Sequence, residues 1–178
     1  MTITSHRPRI VVLTGAESTG KSVLAEALAR HFHAPWFQEF ARDYVQKINH
    51  HYTIYDVLAI AKMQKTQMQA ALMLKSEIVF FDTWLVITQI WLKMVYNTVP
   101  DWIPEMIKST PIDLFLICDT DIPWEPDPVR ENGGEMRIEL SKIYQKTIEA
   151  YGYPFMMVKG EGENRTKNAI DLLNNFLL

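Results

Sequence analysis

The chain has 178 residues and a formal net charge of −3, with 48% hydrophobic and 22% charged positions, the composition of one globular domain with a sizeable core. No block of like charge marks a nucleic-acid footprint, no apolar run nears the roughly 20 residues of a membrane helix, and "MTITSHRPR" lacks a signal-peptide core. Cys118 stands alone, which excludes an internal disulfide and suits a reducing compartment. The expectation is a cytoplasmic single domain over 1–178, with no nucleic-acid or membrane partner.

In chain order, "RIVVLT" (9–14) reads as a short, fully buried strand because its apolar run is continuous. A helix follows with Leu24, Ala27, Leu28 and Phe32 on one face. "APWF" (34–37) is a second short strand, "EFARDYVQKI" a helix, and residues 54–74 a longer one. "EIVFFD" (77–82) is a buried strand ending in an acid, followed by an aromatic-rich helix from Trp84 to Tyr96 that Pro100 and Pro104 break off. "IDLFLIC" (112–118) is a further strand, and "DTDIPWEPDPVRENGG" is loop on its prolines and glycines. Residues 135–150 are helical, "PFMMV" (154–158) is a strand, and a last helix runs from Asn164. Buried strands alternating with helices predict an α/β fold: a parallel sheet covered on both faces, with its ligand loops at the strand ends.

The first of those loops, "GAESTGKS", meets G-x-x-x-x-G-K-[ST] through Gly15, Gly20, Lys21 and Ser22. Its glycines let successive N–H groups turn inward around phosphate oxygens, and the helix N-terminus adds its dipole. The stretch Gly15, Ala16, Glu17, Ser18, Thr19, Gly20, Lys21 and Ser22 is therefore expected to hold a nucleoside triphosphate, ATP or GTP. Lys21 would reach the β- and γ-phosphates and the Ser22 hydroxyl would sit on Mg²⁺. The loop is not the dinucleotide G-x-G-x-x-G. No D-x-x-G or N-K-x-D occurs to support a GTPase switch. Asp82 is followed by Thr83 rather than Glu, so the acidic pair of motor-like ATPases is missing.

Further polar residues gather at the predicted strand ends. Asp82 suits a Mg²⁺-water ligand or a base for a hydroxyl nucleophile; the alternative is an N-cap for the next helix. Glu39 and Arg42 either pair with each other or bracket a ribose hydroxyl and a phosphate. Gln64 falls within the apolar stripe of Val57, Ile60, Ala61, Met68, Ala71 and Leu72, so it is satisfied in the core or reads a polar group on a base. The loop over about 120–137 carries Trp124, Asp127, Arg130 and Arg137. Its two arginines suit a lid that neutralises a transferred phosphoryl group, while Trp124 stacks on a base or anchors the flap. "KGEGENR" (159–165), ending in Arg165, meets an adenine or is a surface turn. The histidines show no metal-ligand spacing, and no Ser/His/Asp or Cys/His set is present.

Together "TGAESTGKS", "QEFARDYV", "FDTWLVITQIW", "DIPWEPDPVR" and "GEGENR" resemble the ribosylnicotinamide kinase domain of bacterial NadR-type proteins, from about Arg9 to the C-terminus. The resemblance implies an adenylate-kinase-like P-loop fold with a parallel five-stranded sheet, flanking helices and a lid. It implies transfer of the ATP γ-phosphoryl to the 5′-hydroxyl of nicotinamide riboside. By position, Gly15 to Ser22 would hold ATP and Mg²⁺, and Asp82 would lie beside the reacting hydroxyl. Glu39 and Arg42 would line the nucleoside side, Trp124 would stack on the nicotinamide, and Arg130 and Arg137 would belong to the lid. Two departures stand out: Trp84 occupies a place where the family often has an acid, and "EPDPVR" replaces a more usual acid- and glycine-containing turn. The chain begins only about nine residues before its first strand, so neither the DNA-binding nor the adenylyltransferase activity of such proteins is expected. The rival readings are another nucleoside or nucleotide kinase and a non-catalytic ATP-binding regulator. Five tryptophans and nine methionines are compatible with a homo-oligomer surface that the sequence does not locate.

Overall fold

The chain runs β1 (Arg9–Thr14), α1 (Lys21–His31), β2 (Trp36–Phe37), α2 (Phe40–Lys47), α3 (Ile54–Leu72), β3 (Ile78–Asp82), α4 (Leu85–Tyr96). It continues through α5 (Trp102–Ser109), β4 (Leu114–Cys118), α6 (Gly134–Ala150), β5 (Phe155–Val158) and α7 (Gly162–Leu177). The computed structural model describes residues 7–125 and 134–177, so Asp127, Arg130 and the middle of the expected lid lie outside the described residues.

All five strands are parallel, in the order β2-β3-β1-β4-β5, as the alternation of strands and helices predicts. Side chains alternate across the sheet, and this divides the core in two. Ile10, Val12, Val79, Phe81, Phe115 and Ile117 pack on the face covered by α3, α4, α5 and α6. Val11, Leu13, Ile78, Phe80, Leu114 and Leu116 pack on the face covered by α1 and α7. Each fully buried Leu or Phe stabilises the fold by roughly 1.5–3 kcal/mol relative to exposure.

The sequence reading differs from the structure at α5. Pro104 does not break this segment; it stands at the third position of the helix, in a first turn whose N–H groups have no intrahelical acceptor. The α3 N-terminus is fixed by a capping box in which Asp56 accepts from the Thr53 N–H and hydroxyl, both at 2.7 Å. The Tyr44 hydroxyl donates to the other oxygen of Asp56 at 3.0 Å, tying α2 to α3.

The sheet order decides where a ligand can sit. From β1 the chain leaves toward β2 on one side, and from β4 toward β5 on the other. The two loops diverge and open a crevice at the carboxyl ends of these strands.

Candidate active site

The loop between β1 and α1 fills that crevice. Gly15 has φ 143°, and a Cβ there would lie 2.7 Å from the Cys118 carbonyl oxygen, so only glycine lets β1 turn this close to β4. Ser18 (φ 55°) and Gly20 (φ 73°) are also left-handed, which turns successive peptides in the manner of an anion-binding nest. The Ala16 carbonyl accepts from the Thr19 hydroxyl at 2.8 Å and from Lys21 Nζ at 2.9 Å. Cys118 lies buried beneath the loop, where burial pushes its thiol up to about 11, so it packs rather than reacts.

Asp82 ends β3 in register with Leu13. Strand alternation puts it on the side of Ile78 and Phe80, toward α1. It is 1% exposed, and its Oδ2 has no hydrogen-bond partner. Burial raises its pKa above the ordinary range, against the pull of Lys21, the Ser22 and Thr83 hydroxyls and Arg42. The next residue, Thr83, has φ 70°, an outlier for a β-branched side chain. Its N–H donates to the Leu13 carbonyl at 3.0 Å and its hydroxyl to Asp82 Oδ1 at 3.4 Å. The strained turn thus aims Asp82 at the loop. Asp82 does not cap α4, whose N-cap is Trp84.

Glu39 precedes α2 without using its carboxylate as a cap. Burial raises its pKa; Asp82 and Glu17 add to the rise, while Lys21 and Arg42 oppose it. Three carboxylates and two cations therefore share one field. Tyr144 joins them from α6: burial raises its hydroxyl, and the charges of Glu17 and Glu39 raise it further. Tyr144 is a site neighbour that the sequence reading missed. Its spacing from Arg137, Leu140, Ser141 and Ile148, all buried on one face of α6, is the signal that marks it.

The remaining expected site residues divide. Trp124 is half-buried at the loop edge, and its indole nitrogen is buried with no hydrogen-bond partner. Gln64 is 2% exposed; its Oε1 accepts from the Thr88 hydroxyl at 2.7 Å and its main-chain oxygen from Trp84 Nε1 at 3.1 Å. That amide oxygen is engaged between α3 and α4. Arg137 lies in the second turn of α6, and Arg165 in α7; the guanidinium of each donates to main-chain carbonyls.

An ion at this site finds a buried carboxylate oxygen without a donor beside the Ser22 hydroxyl, which is hard oxygen chemistry. No group of three or more His, Cys, Asp or Glu is arranged to hold a metal among the described residues. The oxygens of Asp82 and Ser22 would suit a hard cation such as Mg²⁺. No helix among the described residues is long and apolar enough to cross a membrane. An apolar cleft of about 320 Å³ between α4, α5 and α6 includes none of the loop or carboxylate residues.

Residues 10–165 match the family described as an AAA domain. The chain belongs to that family. Its architecture is that of an α/β P-loop NTPase. The trifunctional NAD biosynthesis/regulator protein NadR of Escherichia coli (strain K12) is 27% identical over 177 residues, covering 95% of this chain and 43% of that protein. The Salmonella typhimurium counterpart is 25% identical over the same shares. This chain thus spans less than half the length of those curated relatives. Among solved structures, a NadR protein in complex with NR superposes with a TM-score of 0.76 at 23% identity, over 97% of this chain and 51% of that one. Another NadR protein, in complex with NAD and AMP-PNP, gives 0.74 at 24% identity over 97% and 50%. Deoxyadenosine kinase from M. mycoides gives 0.67 at 15% identity over 93% and 99%. These superpositions establish a shared fold.

Proposed function

We propose that this chain is an ATP-dependent kinase that phosphorylates the 5′-hydroxyl of nicotinamide riboside to the mononucleotide. The observation that carries a kinase reading is Asp82: a buried carboxylate with one unpartnered oxygen, beside Ser22 and Lys21 of the phosphate loop and within the field of Glu39 and Arg42. The choice of nucleoside rests on the likeness to NadR over nearly the whole chain.

The hydroxyl oxygen forms a bond to the γ-phosphorus, the bond to the bridging oxygen breaks, and ADP leaves. The hydroxyl proton passes to Asp82, or to Glu39, whose raised affinities suit a proton acceptor. Lys21 neutralises the β- and γ-phosphates, and Arg42 and Glu39 position the riboside. Ser22, with Asp82 reached through water, would hold a Mg²⁺ that would supply neutralisation of developing phosphate charge. Most of the acceleration is positioning and electrostatics.

The test is ADP release from ATP and Mg²⁺ across a panel of nucleosides. Turnover confined to nicotinamide riboside is the expected outcome. Turnover on a different nucleoside keeps the mechanism and moves the acceptor, whereas ATP binding with no turnover favours a regulator.

A further inference from the structure

We propose that Arg137 and Arg165 are positioning residues that hold the phosphate loop in its receptive shape from behind, without touching the nucleotide. The inference rests on the reading of this loop as the triphosphate cradle.

The two arginines are 5% and 4% exposed and come from different helices, α6 and α7. They take consecutive carbonyls of the loop. Arg137 Nη2 donates to the Ser18 oxygen at 2.9 Å, and Arg165 Nη1 donates to the Thr19 oxygen at 3.0 Å. A trans peptide is planar, so a carbonyl drawn one way sends the following N–H the other. With Ser18 O and Thr19 O held outward, the Thr19 and Gly20 N–H groups face the crevice.

Two features show why the loop needs holding. Ser18 has φ 55°, a left-handed backbone shape that a side-chain-bearing residue rarely adopts, so the loop is strained at the residue whose carbonyl Arg137 holds. Were the Ser18 or Thr19 carbonyl to turn inward, it would present oxygen to a phosphate. The Ser18 hydroxyl is pinned as well, donating to the Glu125 oxygen at 3.0 Å and accepting from the Glu125 N–H at 3.1 Å.

Both arginines also bind the segment that leaves β4, so loop and segment are fixed as one body. Arg137 Nη1 donates to the Ile122 oxygen at 2.8 Å. Arg165 Nη2 donates to the Asp119 oxygen at 3.3 Å and pairs with the Asp121 carboxylate, while Nε donates to the Gly160 oxygen at 2.6 Å. The nitrogens of Arg165 are spent on the protein, so the residue is placed as a strut.

The test measures ATP and ADP affinity by calorimetry for the full chain and for Arg137→Met, Arg165→Met and the two Arg→Lys variants. The cradle N–H groups serve phosphates that ATP and ADP share. The expected result is a loss of about tenfold or more for both nucleotides by the same factor, smaller in the lysine variants. Lysine variants carry the comparison if a methionine variant does not fold. Weakening of ATP alone overturns the inference, since it marks direct contact with the γ-phosphate. Folded variants that bind both nucleotides as the parent does overturn it equally. A parent chain that binds neither nucleotide overturns the reading of the loop itself, and the inference with it.

Discussion

Trp84 donates its indole N–H to the Gln64 main-chain oxygen at 3.1 Å, and the two residues lock α4 onto α3. Trp84 is 1% exposed, so the side chain standing where NadR-type kinases often have an acid is a core residue here. Trp84→Phe removes a buried hydrogen bond and some packing, at a cost of about 1–3 kcal/mol, or several degrees of melting temperature. Acceptor KM for the folded variant stays at the parent value. A changed KM with an unchanged melting temperature would instead place Trp84 in the acceptor pocket.

Asp82→Asn preserves shape and removes the proposed proton acceptor. Turnover is expected to fall by roughly 10²–10⁴ while ATP affinity stays within a few-fold. Single-turnover kinetics with separate nucleotide titrations distinguishes these effects; a variant that keeps its turnover would shift the role of base to Glu39.

Glu39 supplies a pH dependence whose sign follows from its burial. Its carboxyl binds a proton more tightly in the folded chain than in the unfolded one. This stability is fully present below the ordinary glutamate value of about 4.3 and is lost as pH rises through the folded value. Glu39→Gln removes the loss. In the nucleotide-free state the variant should melt higher than the parent near neutral pH, and the two curves should converge toward about pH 4. Curves that diverge on acidification would contradict this.

Gly15→Ala places a methyl group 2.7 Å from the Cys118 oxygen at a backbone shape unsuited to alanine. Either β1 and β4 part or the loop shifts. A destabilisation of roughly 2–4 kcal/mol is expected in denaturant titrations, together with weakened nucleotide binding.

Local patterns make much of this candidate site legible in the sequence. The phosphate loop is a contiguous stretch whose glycines dictate its shape, and Asp82 closes a short apolar run that reads as a buried strand. The arginines were harder, because their partners are remote: Arg137 meets Ser18 119 positions away, and Arg165 meets Thr19 146 positions away. Residue type says that a guanidinium will seek oxygen, whether a carbonyl behind a loop or a phosphate in front of it. Gln64 met the same ambiguity, which Thr88 on the neighbouring helix resolves. The α5 segment is not legible in the sequence because proline reads as a breaker unless the first turn is recognised around it. Nothing in "DTW" announces the left-handed backbone of Thr83, since that strain is imposed by the packing of β1, β3 and α4.

The sheet order also separates two jobs along the chain. The cradle and its struts come from residues 15–22, 119–125, 137 and 165, whereas Glu39 and Arg42 come from the excursion between β2 and β3. Within that excursion Tyr44 on Asp56 ties α2 to α3, α3 packs on the sheet and on α4, and Glu39 lies in the field of Lys21 and Asp82. Under the proposed function, substitutions around Glu39 and Arg42 would change the choice of acceptor and leave the phosphate cradle, built elsewhere in the chain, as it is.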